Sequence, residues 1–294
     1  MRILNFGSMN LDYVYAVEEI VRAGETIRAH SRRIFCGGKG LNQSIALARA
    51  GAPVWHAGLI GNDGDELRAV LEKNGVNTSL IREVPGPSSH TVIQVDRSGQ
   101  NCILFYADEG LRVTPSYIDQ VLASFEPGDF ILLQNELDNT AEIMRRAKQR
   151  GMKVILNPSP ANEMLSSYPL DQVDCFLLNE TEGAWLTGEQ DPQRVLNRLC
   201  ETYPHAVIVL TLGEKGSICA ADGKAFHQPV CKAKAVDTTA AGDTFTGYFL
   251  AGWLKGEEFP VVLERASRAA AIAVSRPGAA DSIPLLAEVE AGME

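Results

Sequence analysis

From residue 130 to residue 211 the chain alternates between two kinds of segment. Short apolar runs suited to buried strands, at 130–135, 153–157, 175–178 and 206–211, are interleaved with helical patterns at 140–150, 181–187 and 192–203. Gly151 closes the first of these helices and Asp191-Pro192 opens the last. Strands joined through helices return in the same direction, so this rhythm builds a parallel sheet covered on both faces. The fold expected is α/β: a doubly wound, mainly parallel sheet with helices on both faces. A chain of 294 residues suits one large domain, 1–294. Further signals are local. Asp63 with Glu66 predicts a capping box for a helix running to Asn74, and Thr114-Pro115 predicts a helix start.

Two segments break the rhythm. Residues 12–35 alternate loosely around Gly24, and residues 88–107 read as a hairpin turning at Arg97-Ser98-Gly99-Gln100. Together they predict a small second β-sheet hung near the strand ends as a lid.

Charge excludes one class of partner. Lys and Arg number 27 against 37 Asp and Glu, a formal net charge of −10, whereas nucleic acid selects basic faces. Six cysteines without a C-x-x-C pair suit reduced thiols, and five scattered histidines give no metal site. The N-terminus has no signal-peptide core, and the longest apolar run, Phe245 to Leu254, is too short to span a bilayer. A cytoplasmic protein without a membrane partner is expected.

Ligands of open α/β sheets sit beyond the carboxyl ends of the strands. Polar residues recur there. Asn10 and Asp12 follow the first strand and share a face in an extended segment, an arrangement that can bind vicinal hydroxyls. Gln134-Asn135-Glu136, Asn157-Pro158-Ser159-Pro160, Asn179-Glu180-Thr181-Glu182 and Thr211-Leu212-Gly213-Glu214-Lys215-Gly216 end four later strands. Each alone reads as a turn or cap. Four at one sheet edge predict a site. Asn179 and Glu182 face the same way on a first helical turn and could order a hydrated magnesium ion.

Two glycine-rich helix entries complete the pattern. Cys36-Gly37-Gly38-Lys39-Gly40-Leu41-Asn42-Gln43 enters one helix. It is neither a Walker loop nor G-x-G-x-x-G, and its glycines allow a ligand to touch the backbone. Asp237-Thr238-Thr239-Ala240-Ala241-Gly242-Asp243-Thr244 enters the other. Unpaired N–H groups at such a start favour an anion. Asp243 read alone is an ordinary helix cap. A carboxylate beside an anion site has a second use, which is to take a proton during phosphoryl transfer to a hydroxyl.

These two signatures resemble those of the ribokinase-like (phosphofructokinase-B type) carbohydrate kinases, and the resemblance spans essentially the whole chain. The lysine in Gly-Gly-Lys-Gly looks more like the ribokinases than like fructokinases or adenosine kinases. The resemblance implies an ATP-dependent kinase acting on the primary hydroxyl of a pentose, ribose first. Another sugar or a nucleoside as substrate, or an idle sugar-binding regulator, remain the alternatives. It implies Asp243 as catalytic base, with the N–H groups of Ala240, Ala241, Gly242 and Asp243 as an anion hole. Asn10, Asp12, Gly38, Lys39, Asn42 and Glu136 match sugar-holding positions. Asn179, Thr211 to Gly216 (Leu212, Gly213, Glu214 and Lys215 between them), Gly242 and Ser267 match nucleotide-binding ones. Glu182 matches a residue tied to magnesium through water. Asp237, Thr239, the carbonyls of Ala273, Arg276 and Gly278, and the Ser282 hydroxyl match a potassium site. The lid implies a homodimer. The sequence departs from the family's pattern at Ala107-Asp108-Glu109-Gly110-Leu111, at Ser267 and at Pro277.

Overall fold

The computed structural model describes residues 1–291; the last three residues of the expected 1–294 unit lie outside the described residues. In chain order the strands are β1 (Ile3–Phe6), β2 (Asn10–Ala16), β3 (Ser31–Gly37), β4 (Val54–Ile60), β5 (Asn77–Glu83), β6 (His90–Val95), β7 (Asn101–Tyr106), β8 (Phe130–Gln134), β9 (Lys153–Asn157), β10 (Cys175–Asn179), β11 (Val207–Thr211), β12 (Ser217–Ala221) and β13 (Lys224–Gln228). The helices are α1 (Lys39–Arg49), α2 (Asp65–Lys73), α3 (Pro115–Leu122), α4 (Thr140–Gln149), α5 (Glu180–Thr187), α6 (Pro192–Thr202), α7 (Ala241–Leu254), α8 (Phe259–Val274) and α9 (Leu286–Glu290).

The larger sheet has the order β13-β12-β11-β10-β9-β8-β1-β4-β5. Its pairs are parallel except those β12 makes with β11 and β13. Successive strand residues point to opposite faces and divide the core in two. Phe130 and Leu132 of β8 pack with Ile45 of α1, Phe249 of α7 and Leu263 of α8. Ile131 and Leu133 pack on the other face with Ile118 of α3, Met144 of α4 and Leu196 of α6. Helices therefore cover both faces, and the strands are apolar on both because both are buried.

The smaller sheet has the order β3-β2-β6-β7. β2 runs parallel to β6 and antiparallel to β3, and β6-β7 is the expected hairpin. The loose alternation over 17–30 forms no strand, and β3 begins only at Ser31. β7 is an edge strand whose residues are all exposed, including Leu104 at 68%.

One predicted cap fails. α2 starts after Gly64 with no side-chain cap, because Asp63 turns away to accept from the Ser88 N–H at 2.7 Å. Thr114 does cap α3, accepting from the Tyr117 N–H, with Pro115 in the first turn.

Candidate active site

A cleft of about 530 Å³ opens over the carboxyl ends of the central strands, roofed by the smaller sheet. Asn10, Asp12, Gly38, Lys39, Asn42, Glu136, Asn179, Glu182, Thr211, Thr239, Ala240, Gly242 and Asp243 line it. Thr91, Ile93 and Ile103 of the small sheet also line it. Residues from both ends of the sequence meet here because α1 packs along α7, where an added Cβ on Gly247 would fall 2.4 Å from the Ala46 side chain.

The floor is the start of α7. Asp243, in the helix's first turn, is 9% exposed. Its Oδ2 accepts from Asn42 Nδ2 at 3.0 Å and its Oδ1 from Gln43 Nε2 at 2.9 Å. Among the described residues, the N–H groups of Ala240, Gly242 and Asp243 have no protein acceptor. The expected anion hole loses one donor: the Ala241 N–H donates to the Thr238 carbonyl at 3.2 Å, the first turn tightening on itself. An added Cβ on Gly242 would meet no protein atom within 4 Å. Neither packing nor a left-handed backbone demands glycine there, so the open space in front of it is free for a ligand.

The other entry uses its glycines differently. An added Cβ on Gly37 would fall 2.0 Å from Asp12 Oδ2, and on Gly40 2.5 Å from the Gly7 carbonyl carbon. All three approach other chain segments closely, since an added Cβ on Gly38 would fall 2.9 Å from the Ser8 carbonyl oxygen; Gly37 and Gly38 also line the cleft, and Gly38, at φ 98°, caps α1. Glu136 accepts from the Lys39 N–H at 3.1 Å and, by a short hydrogen bond, from the Ser8 hydroxyl. Burial pushes the Glu136 carboxyl above its ordinary range, with the Ser8 hydrogen bond and Lys39 opposing. Asp12 is also raised by burial, although its Oδ1 accepts from Thr91 Oγ1 at 2.6 Å. Two buried acceptors in this wall, Asn10 Oδ1 and Asn42 Oδ1, have no partner among the described residues. Buried acceptors call for donors, and hydroxyl groups are the natural ones.

Asn179 and Glu182 form a complete capping box. Each backbone N–H meets the other's side chain at 2.9 Å, and Asn179 Nδ2 donates to Glu182 Oε1 at 3.0 Å. Among the described residues no cluster of three His, Cys, Asp or Glu could hold a metal. The pair still fits magnesium bound through water, because Glu182 lines the cleft and each of its carboxylate oxygens accepts a single hydrogen bond, which leaves it acceptor capacity.

Leu212, Gly213, Glu214, Lys215, Gly216 and Ser267 do not line the cleft. Leu212 is buried in the second core, and Lys215 is exposed and pairs with Glu180 at 3.3 Å. Asp237, Ala273, Arg276, Gly278 and Ser282 do not line the cleft; Asp237 is joined to Gly278, and the Arg276 N–H donates to the Ala273 carbonyl at 3.1 Å. Asp237 Oδ1 accepts from the Thr239 N–H and hydroxyl at 3.0 and 2.5 Å, and its Oδ2 accepts from the Gly278 N–H at 2.9 Å. Burial would raise Asp237, but these three donors outweigh it and hold the carboxyl below its usual range. Ser282 Oγ donates to the Ala279 carbonyl at 2.8 Å, which leaves its lone pairs free. The Arg276 guanidinium turns away to Glu288 at 2.6 Å. An ionised carboxylate, a hydroxyl, and backbone carbonyls from the end of α8 and the loop after it are all oxygen donors, a chemistry that fits potassium.

The chain matches the pfkB family carbohydrate kinases over residues 2–286. It belongs to that family. It is 34% identical over 287 residues to the ribokinase of Haemophilus influenzae, covering 95% of this chain and 94% of that protein. Among solved structures it is similar to a Cryptococcus neoformans ribokinase in complex with ADP, at a TM-score of 0.87 and 31% identity, covering 99% of both chains. The Arabidopsis thaliana ribokinase complexed with ribose and ATP superposes with a TM-score of 0.86 at 28% identity, covering 99% of this chain and 97% of that one. As a pfkB family carbohydrate kinase the chain is a phosphotransferase with an alcohol acceptor.

Sequence reasoning gave no role to Gln43, Ser8 or Thr91, although each bonds a cleft carboxylate. Gln43 stood inside the first signature. Nothing local marked Ser8 or Thr91.

Proposed function

We propose that this protein transfers the γ-phosphoryl group of ATP to the primary hydroxyl of a pentose, converting ribose to ribose 5-phosphate. One observation carries the reading: the Asp243 carboxylate stands beside an open helix start whose free N–H groups and bare Gly242 suit a phosphoryl group. The names of the relatives, ribokinases among them, point the same way.

The sugar hydroxyls donate to Asn10 Oδ1, Asn42 Oδ1, Asp12 and Glu136, and Lys39 donates to sugar oxygens. Thr91, Ile93 and Ile103 exclude water from above. Asp243 takes the proton of the attacking hydroxyl, and the N–H groups of Ala240, Gly242 and Asp243 receive the charge that builds on the transferring group. The nucleotide lies past Thr211 and Asn179, along Leu212 to Gly216 toward Ser267. Glu182 would hold magnesium through water, and bound magnesium would offset phosphate charge. Asp237, Thr239 and Ser282, with the carbonyls of Ala273, Arg276 and Gly278, would hold potassium, which would supply positive charge to the loop leading into the anion site. Asp237 and Thr239 share the backbone that leads into Ala240–Asp243, so they fix its course.

The residues of β7 support a homodimer through the smaller sheet. Ile103, Leu104, Phe105 and Tyr106 are exposed in a row, with Ile34 and Phe35 exposed on β3. Six free cysteines suit a cytoplasmic setting. Among the described residues no helix is long and apolar enough to cross a membrane.

ADP release over a panel of pentoses, hexoses and nucleosides, with magnesium and with or without potassium, tests the proposal. Ribose is expected to give the highest kcat/KM, with potassium raising turnover. No ADP release on any sugar would refute the kinase reading; a nucleoside preference would refute the substrate.

A further inference from the structure

Four central strands of the larger sheet break their apolar pattern on one face. β9 carries Ile155 and then Asn157, β8 Leu132 and then Gln134, β1 Ile3 and then Asn5, and β4 Val54 and then His56. These strands are neighbours in the order β9-β8-β1-β4, with Gln134 opposite Asn157 and Asn5 opposite His56. Alternation puts all four polar side chains on the face covered by α1 and α7. Asn5, Gln134 and His56 are buried, and burying polar groups in a sheet core is costly unless each is hydrogen-bonded.

They form one chain of hydrogen bonds that ends on Asp243. Asn5 Nδ2 donates to the Gly40 carbonyl at 2.7 Å and to Ser44 Oγ at 2.8 Å. Gln134 Nε2 donates to Asn5 Oδ1 at 3.0 Å and to Gln43 Oε1 at 2.7 Å. Gln43 Nε2 donates to Asn157 Oδ1 and to Asp243 Oδ1, both at 2.9 Å. Asn157 Nδ2 donates to the Leu177 carbonyl at 2.8 Å.

The chain has a single allowed direction. The Gly40 and Leu177 carbonyls only accept, so each faces an NH2 group and turns the oxygens of Asn5 and Asn157 inward. Asn5 Oδ1 then requires the NH2 of Gln134, which requires the oxygen of Gln43, and Asn157 Oδ1 requires the NH2 of Gln43. Backbone groups at both ends thus dictate that Gln43 presents a donor, never an acceptor, to Asp243. At the far end Ser44 Oγ lies 2.8 Å from His56 Nδ1; burial lowers this imidazole to about 4, so the chain is neutral throughout.

We infer that Gln43, held by Gln134, Asn5 and Asn157, is a positioning residue that clamps Asp243 Oδ1 and leaves Oδ2 as the oxygen presented to the substrate hydroxyl. Gln43 is fully buried and does not line the cleft, whereas Asn42, the partner of Oδ2, does. Oδ1 therefore faces the protein interior, while Oδ2 sits on the side a substrate can reach. A base must lie within hydrogen-bond reach of its proton, and misplacement by about 1 Å can cost about 100-fold in rate. The inference rests on the reading of Asp243 as the base.

Two variants of Gln43 test it beside Asp243→Asn, with folding checked by melting temperature. Gln43→Met keeps the volume and removes the donor. It is expected to lower kcat about 30- to 300-fold with the KM values for ribose and ATP within about threefold, because the loss falls on the transition state. Gln43→Glu is expected to be impaired at neutral pH and to recover as pH falls, when its protonated carboxyl becomes a donor again. A folded Gln43→Met enzyme with kcat within about threefold of wild type would overturn the inference. If that variant does not fold, a Gln43→Glu pH profile parallel to wild type would overturn it. An inactive Asp243→Asn with wild-type-like Gln43 variants refutes the clamp alone, whereas an active Asp243→Asn refutes the base itself.

Discussion

Gly242→Ala separates what a ligand demands from what the fold demands. The position lies in the first turn of α7, and the added Cβ meets no protein atom within 4 Å. Alanine there restricts the unfolded chain and suits a helix, so stability should hold or rise by about 0.5 kcal/mol. For a protein of this size that raises the melting temperature by about 1–2 °C. Activity should move the other way. A methyl group in front of the free N–H groups displaces the transferring phosphoryl group by a good part of an ångström. Displacement on that scale, or loss of one anion-hole donor, costs about 100-fold in kcat, near 2.7 kcal/mol. The assay pairs thermal unfolding with ADP release under saturating sugar and ATP. A Gly242→Ala enzyme with full turnover would refute the argument, since nothing would then approach that backbone. A marked loss of stability would refute it too, by giving the glycine a structural role.

Asp237→Asn should abolish potassium stimulation while leaving the ribose KM within about threefold, read from turnover across a potassium titration. Asp12 and Glu136 titrate above ordinary carboxylates, and protonation turns an acceptor of sugar hydroxyls into a donor. The ribose KM should therefore climb as pH falls, beginning above the range near pH 4 where exposed carboxylates protonate. A ribose KM that stays constant until the range where exposed carboxylates protonate would contradict that assignment. Leu104→Glu with Phe105→Glu should convert a dimer to a monomer in sedimentation without loss of fold; a dimer that survives places the interface elsewhere.

The strand and helix rhythm was legible because glycine and proline mark element ends through local backbone chemistry, as at Gly151 and Pro192. Asp63 misled because local spacing does not show that the helix starts after Gly64 or that the distant Ser88 N–H takes its carboxylate. The first glycine-rich entry suggested a ligand, yet Gly37 and Gly40 answer to Asp12 and Gly7 across the chain. Ala241 is indistinguishable from its neighbours in sequence, which does not show which N–H a tightened first turn consumes. Gln134 and Asn157 were visible as polar strand ends. Their union through Gln43 depends on β9, β8 and β1 lying side by side, an order set by long crossovers that local pattern does not encode.

The most direct test of the account is the turnover of Asp243→Asn with ribose, ATP, magnesium and potassium. The account predicts a loss of at least about 1,000-fold in kcat, because the base is gone, with ribose binding by calorimetry within about threefold. Turnover within tenfold of wild type would contradict it.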